Sequence, residues 1–306
     1  MTTRLDVLPR AQRGMEYLES CLSHKTKMFN LFGIEFFVNS SVIVIPIILA
    51  ITGNFNWRVG LYVVGVAGSI LLHEMGHALG GYLVGNPAKE ITLIACGGYT
   101  VFSRNPGVGA KDALMSVAGP LTNGLVCCLL IGLESALWGG SFGEWAHVLF
   151  SQLGGNYLSA EGLSLPFVLL NAIAIVNTYM LVFNLLPAFP LDGGRIFRWF
   201  SGWFMPSQKA AFTTMLVSRM LACLIVMRSI TTDLIAEFNP FNLLFSVLIA
   251  IWIWCGSQTE YWRTKLYCAA QAGSRTAISE IRRLFDEDVV PVFRSRGWRS
   301  AEAPRS

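Results

Sequence analysis

Residues 71–81 read LLHEMGHALGG. His73, Glu74 and His77 stand in the middle of one of the most apolar runs in the chain. From Val59 to Val84 the one formally charged side chain is Glu74. An ionisable group at mid-bilayer is costly and marks a functional position by default. The spacing says which function. On a helix, His73 and His77 lie one turn apart on one face, so both imidazoles can reach a single metal ion. Glu74 sits about 100° further round, beside that ion, where a carboxylate can take a proton from water. Random placement would give this pattern roughly 0.002 times in a chain of this composition. The bland alternative is a polar helix–helix contact, which the membrane cost of His and Glu disfavours.

A catalytic zinc site takes three protein ligands and keeps one position open. The chain has two further histidines, His24 and His147. One lies in the polar N-terminal segment and the other in a loop expected on the opposite membrane face. A carboxylate is the better third ligand, and Asp192 in NLLPAFPLDGGR, residues 184–195, is the acid that stands out. Pro187 and Pro190 remove backbone donors and break a helix there, and Gly193–Gly194 permits a sharp turn. On its own, PLDGG reads equally well as a surface turn. SVAGPLTNG, residues 116–124, offers small residues for close helix packing. Its Asn123 suits either an interhelical hydrogen bond or a catalytic contact.

Composition places this cluster in a membrane protein. The 306 residues are 53% hydrophobic and 14% charged, with a mean hydropathy of +0.52. A soluble domain carries about 25% charged residues. The net charge of +4 is too small to argue for a nucleic-acid partner. The seven cysteines show no metal-site or disulfide spacing and read as small apolar residues. No signal peptide is visible in residues 1–30.

Six windows approach the roughly 20 apolar residues of a spanning helix: Ile34–Thr52, Val59–Val84, Ala113–Leu133, Leu165–Leu186, Ala211–Met227 and Phe241–Cys255. The fourth is polar on part of its surface through Asn171, Asn177 and Asn184, and the fifth carries Arg219. Residues 88–107, AKEITLIACGGYTVFSRNPG, are rich in Ile, Thr, Val, Tyr and Phe around Gly97–Gly98, which predicts two short strands and a turn. The fold class expected is an all-α polytopic membrane protein with about six spans and a hairpin-like insertion between the second and third. Its parts are an N-terminal segment 1–30, a membrane core 31–258 and a C-terminal tail 259–306. Lys and Arg gather in alternate loops and at both ends, whereas residues 134–164 have none. Six spans with both termini cytoplasmic fit that alternation. From His77 to Gly85 is about 12 Å of helix, which places the histidines toward the cytoplasmic face.

Taken together, HEMGHALGG, SVAGPLTN and FNLLPAFPLDGGRIFR, in that order, resemble the site-2 proteases, a family of intramembrane zinc metalloproteases (peptidase family M50). LLFSVLIAIWIWCGSQTEYW, residues 243–262, resembles the last helix of the bacterial branch that includes the sporulation-factor proteases, with its Gly-small-x-x-Glu pattern at Gly256–Glu260. The resemblance covers roughly residues 35–260. It implies one Zn2+ per chain held by His73, His77 and Asp192, with Glu74 as general base. It implies cleavage of transmembrane protein substrates in a lipid environment, in a bacterial cell membrane. The strand near Gly97 and Gly98 would pair with an unwound substrate; Asn123 or Asn184 would help hold substrate or intermediate. Many relatives carry a PDZ domain between the third and fourth spans or paired CBS domains at the end, and neither fits the loop or tail here. The competing readings are a catalytically inactive scaffold of this family and a membrane metal carrier or transporter, which would string polar residues along a path through several spans.

Overall fold

The structure, a computed structural model, describes residues 25–43, 57–94, 97–104, 107–141, 165–235 and 240–279, with isolated positions 47, 143 and 144. The chain divides into two compact units, one of residues up to Ser103 with Met115–Asn184, the other of Arg104–Leu114 with Leu185 onward.

The first unit contains a four-stranded sheet in the order β1-β2-β3-β4: β1 Lys25–Leu31, β2 Ile34–Asn39, β3 Ala88–Ile94 and β4 Gly97–Phe102. β1 and β2 form an antiparallel hairpin with Leu31 opposite Ile34. The two residues between them, Phe32 and Gly33, both have positive φ (53° and 81°), the signature of the primed turn that matches strand twist. β2 and β3 pair in parallel, Glu35 opposite Glu90 and Val38 opposite Leu93. A parallel pair needs a long crossover, and α1, Trp57–Leu83, lies between them in the chain. β3 and β4 are antiparallel, from Ile94 opposite Gly97 to Ala88 opposite Phe102. Phe36, Ala78, Ala88 and Ile91 are buried where α1 meets the sheet, with Leu71, Met75 and Phe102 packed around them. α2, Ala110–Trp138, enters this unit from Met115, and α3, Leu165–Asn184, packs on α1.

In the second unit, α4 (Asp192–Ser201) packs on α5 (Ser207–Ile235), and α5 packs on α6 (Pro240–Gln271). Arg219 of α5 bonds Gln258 and stacks 4.4 Å from the Trp254 ring, so its charge is met inside the helix pair.

Among the described residues four helices are long and apolar enough to cross a bilayer: Val63–Leu83, Ala110–Trp138, Ser207–Thr231 and Leu243–Gln271. A shorter apolar helix covers Leu169–Asn184. Their outer faces are apolar at helical spacing, as in Leu121, Leu125 and Leu129 of α2 or Leu216, Met220 and Leu224 of α5. Their inner faces bury Ser69, His73, Glu74, Asn123 and Asn177. Apolar residues outside and polar residues inside suit a lipid solvent.

Six spans are not confirmed among the described residues. The first window opens with β2 and a 3-10 turn, Ser40–Ile43; apart from Ile47, the remainder lies outside the described residues. IEFFVN is apolar enough to begin a span, yet its β-branched and aromatic residues pair with β3, and apolarity alone does not separate the two. The N-terminal segment also supplies β1, which was not expected. The strand pair expected within 88–107 is present as β3 and β4. α6 continues to Gln271, past Cys255, so position 258 falls inside a helix. The five described cysteines, Cys127, Cys128, Cys223, Cys255 and Cys268, are free thiols.

Candidate active site

α1 carries His73 and Glu74, both buried, and half-buried His77. One ligand atom from each lies within 4.8 Å of the others. The rings are edge-to-face, centroids 4.6 Å apart, with Nε2 of His73 3.1 Å from Nε2 of His77. Each Nδ1 meets an oxygen acceptor: His73 Nδ1 is 2.5 Å from Asn123 Oδ1, and His77 Nδ1 is 2.8 Å from the carbonyl of Met115. An acceptor there requires the proton on Nδ1. The Nε2 atoms of the two rings turn toward each other and toward Glu74, where both can act as donors to one cation. Neutral imidazoles whose other N–H is held by a carbonyl are the usual zinc donors, so the donor set fits zinc.

Two close approaches shape this pocket. A Cβ on Gly119 of α2 would lie 2.5 Å from both Cε1 and Nε2 of His77 and 2.9 Å from Cε1 of His73. A Cβ on Gly98 of β4 would lie 2.7 Å from Glu74 Cγ and 3.1 Å from its Oε1. Thr100, two residues along β4 and on the same face, donates its hydroxyl to Glu74 Oε2 at 2.8 Å. The strand thus lies directly over the Glu74 carboxylate and holds one of its oxygens.

The structure brings together His73, Glu74, His77, Asn123 and Gly98. Gly97 opens β4 with nothing against a Cβ within 4 Å. Asn184 ends α3 and donates to Met180 O of its own helix at 2.9 Å. His24 and His147 lie outside the described residues. Gly119 and Thr100 were not anticipated as site residues; the small-residue run around Gly119 was the available signal.

Asp192 belongs to the second unit as the first residue of α4. α3 stops at Asn184, short of both prolines, and residues 185–191 turn through Ala188 N–H to Leu186 O (2.7 Å) and Leu191 N–H to Ala188 O (2.9 Å). The chain folds so closely here that a Cβ on Gly193 would lie 2.3 Å from Leu186 O. On α6, Gly256 leaves room for Pro190, whose Cγ and Cδ lie 2.7 Å from where a Cβ would be. Beyond Asp192, α4 is tied down by charge. Arg198 pairs with Asp112, both buried, and donates to Thr264 Oγ1 at 2.9 Å. Arg195 reaches Glu260 at 3.3 Å and Asp112 at 3.6 Å, and Arg263 reaches Glu260 at 3.2 Å. Removing one partner of a buried pair leaves an uncompensated charge, which costs about 3–5 kcal/mol. Asp112→Asn is therefore expected to lower the unfolding free energy in detergent by that order, read by denaturant titration, whereas Lys27→Gln, at an exposed pair with Glu35, is expected to change it by less than about 1 kcal/mol.

The peptidase family M50 model matches residues 61–227, which spans α1 with its histidines, the hairpin, α2, α3, α4 and most of α5. The chain belongs to peptidase family M50. Among its relatives, a zinc metalloprotease of Methanocaldococcus jannaschii is 24% identical over 180 residues, 58% of this chain and 45% of the relative. A Synechocystis relative is 24% identical over 190 residues, 58% of this chain and 44% of its own length. The chain thus spans about half the length of the curated relatives it matches. The solved site-2 protease from Methanocaldococcus jannaschii shares the fold with a TM-score of 0.50 at 21% identity, over 78% of this chain and 95% of that one. The M50 membership and the apolar helices together make this a membrane protein of a zinc metalloprotease family.

Proposed function

We propose that the chain is an intramembrane zinc endopeptidase that hydrolyses peptide bonds within or near transmembrane segments of other membrane proteins. The observation that carries this reading is the convergence of His73, Glu74 and His77, whose ligand atoms lie within 4.8 Å of one another on an apolar helix. His73, His77 and Asp192 would hold one zinc ion. The bound ion supplies Lewis acidity to a carbonyl oxygen and lowers the pKa of nearby water. Glu74, with Oε2 held by the Thr100 hydroxyl, presents Oε1 as the proton acceptor. Its carboxylate takes the proton of the attacking water as oxygen bonds to the scissile carbonyl carbon. It returns that proton to the leaving nitrogen as the C–N bond breaks.

A peptide bond in a helix is hidden in internal hydrogen bonds, so the substrate must unwind before attack. β4 is an edge of the sheet and carries Gly98 and Thr100 over Glu74. An extended substrate segment adding to that edge would satisfy its own backbone groups while lying beside the base. The alternation of basic and base-free loops supports a cell-membrane protein with both termini in the cytoplasm.

The test is metal content and cleavage measured together on the purified full-length chain in detergent, with a membrane-spanning reporter. The unaltered protein is expected to bind one zinc and cut the reporter. Asp192→Ala is expected to lose zinc affinity by about 10–100-fold or more and cleavage with it. Undiminished zinc affinity in Asp192→Ala would remove that residue from the ligand set. Zinc binding by the unaltered chain with no cleavage of any spanning reporter would favour a scaffold.

A further inference from the structure

The second unit carries a patch of aromatic rings that its own core does not use. α4 ends at Ser201, and the chain turns tightly from there toward α5 through Trp203 N–H to Phe200 O and Phe204 N–H to Ser201 O, both 3.1 Å. Phe200, Trp203 and Phe204 gather in this turn, with the Phe200 centroid 5.9 Å from Trp203 and 5.5 Å from Phe204. Yet Trp203 is 65% exposed and Phe204 73%. Three large rings held outward by an ordered turn mark a surface that meets something beyond the fold.

What stands beside the rings says what it meets. Met205 Sδ accepts from the Thr213 hydroxyl at 3.7 Å, which folds the turn back on the start of α5. There Phe212 meets Tyr261 of α6 edge-on, centroids 5.9 Å apart. α5 and α6 run antiparallel, because Arg219 bonds Gln258 while Phe212 meets Tyr261. Lys209, three residues before Phe212, and Lys265, four after Tyr261, therefore both lie one turn further out, on the faces that carry the ring pair. Both are exposed, and Lys265 Nζ stands 4.6 Å over the Trp262 ring. No Asp or Glu occurs in residues 199–215 or 261–279. The nearest acid before that stretch of α6, Glu260, is engaged by Arg195 and Arg263. Two cations thus rise above a floor of rings with no acid to oppose them.

The membrane level agrees. The apolar stretch of α5 ends at Thr231. From Phe212 to that residue is about 28 Å of helix, close to the roughly 30 Å of a hydrocarbon core. A bilayer covering the exposed Leu216, Met220 and Leu224 therefore ends near the Phe212–Tyr261 pair, and the two lysines stand among the headgroups. Trp and Tyr favour that boundary.

We propose that Lys209 and Lys265 bind the phosphate of an anionic phospholipid, with the rings of Phe212 and Tyr261 beneath it and its acyl chains along Leu216 and Met220. A zwitterionic lipid also has a phosphate, but it carries its own cation, so two lysines select the lipid with net negative charge. A soluble anion would need the lysines alone; the exposed rings, continuous with the outer face of α5, fit the lipid. The inference needs the membrane location of the chain and not its metal chemistry.

The experiment is native mass spectrometry of the full-length protein released from detergent micelles that hold equal amounts of phosphatidylglycerol and phosphatidylcholine. The unaltered chain is expected to retain one phosphatidylglycerol in preference to phosphatidylcholine. Each basic residue near an anionic headgroup is worth about fivefold in affinity, so Lys209→Gln with Lys265→Gln is expected to weaken retention about 10–30-fold. Lys209→Arg with Lys265→Arg keeps the charge and is expected to keep the lipid, which separates lost charge from general damage. Arg228→Gln removes a cation at the other end of α5 and is expected to change nothing. Equal retention of the two lipids, or undiminished retention in the double glutamine variant, overturns the proposal. Displacement of the lipid by an excess of inorganic phosphate would make this a site for a soluble anion. A chain that runs as a dimer and takes no phosphatidylglycerol would give the patch to a second copy. Either result also overturns it.

Discussion

Glu74→Gln is expected to bind zinc as the unaltered chain does and to cleave a spanning reporter about 10²–10⁴-fold more slowly. The substitution is nearly isosteric. Its amide oxygen can still accept the Thr100 hydroxyl that now bonds Oε2, so the side chain keeps its place under β4. What the amide cannot do is take a proton. Zinc content is the deciding companion measurement, because Glu74 lies within ligand distance of both histidines and could in principle be a ligand itself. Retained zinc with lost cleavage assigns Glu74 as the base. Zinc lost in parallel with cleavage would make it a ligand, and Asp192 would then need another role. Cleavage at the unaltered rate would sink the mechanism altogether.

That the same side chain could be base or ligand shows where sequence reading stops. The i, i+4 spacing of His73 and His77 and the offset of Glu74 follow from helical period alone, so those three residues were legible as one site. Asn123 was legible as a polar residue facing the core, with its role open. Its partner was not: Asn177 appears in the sequence as one of three asparagines on the fourth window, and nothing there says that it accepts from Asn123. Which asparagine meets which exists only in three dimensions. The hairpin of β3 and β4 was legible from its β-branched and aromatic residues around Gly97–Gly98. β2 was not, because a short apolar strand and the start of a spanning helix have the same composition, and its partner β3 lies beyond the whole of α1. The end of α6 was missed for the opposite reason. Glu260 and Arg263 look like the polar end of a span, yet Glu260 is paired with Arg195, Arg198 and Arg263, and the helix runs on past them.

Gly119→Ala tests the other half of the pocket, the space that the two rings need. A methyl group there would sit 2.5 Å from His77 Cε1 and Nε2 and 2.9 Å from His73 Cε1, well inside contact distance. The rings have little room to yield, because α2, the helix that carries Gly119, also holds both of them. Met115 binds His77 Nδ1 from one turn before the glycine, and Asn123 binds His73 Nδ1 from one turn after it. Any shift that relieves the methyl group lengthens one of those two bonds or parts the Nε2 atoms. A misplacement of about 1 Å costs on the order of 10²-fold in rate, and disturbed support of a ligand costs about 10–100-fold in metal affinity. Gly119→Ala is therefore expected to lose both, as read by reporter cleavage and chelator competition. The control is Gly124→Ala on the same helix, where a Cβ meets Leu181 Cδ2 at an ordinary 3.6 Å. It carries the same gain in helix propensity and is expected to bind and cleave normally. Equal behaviour of the two variants would mean that the imidazoles are not where the structure places them.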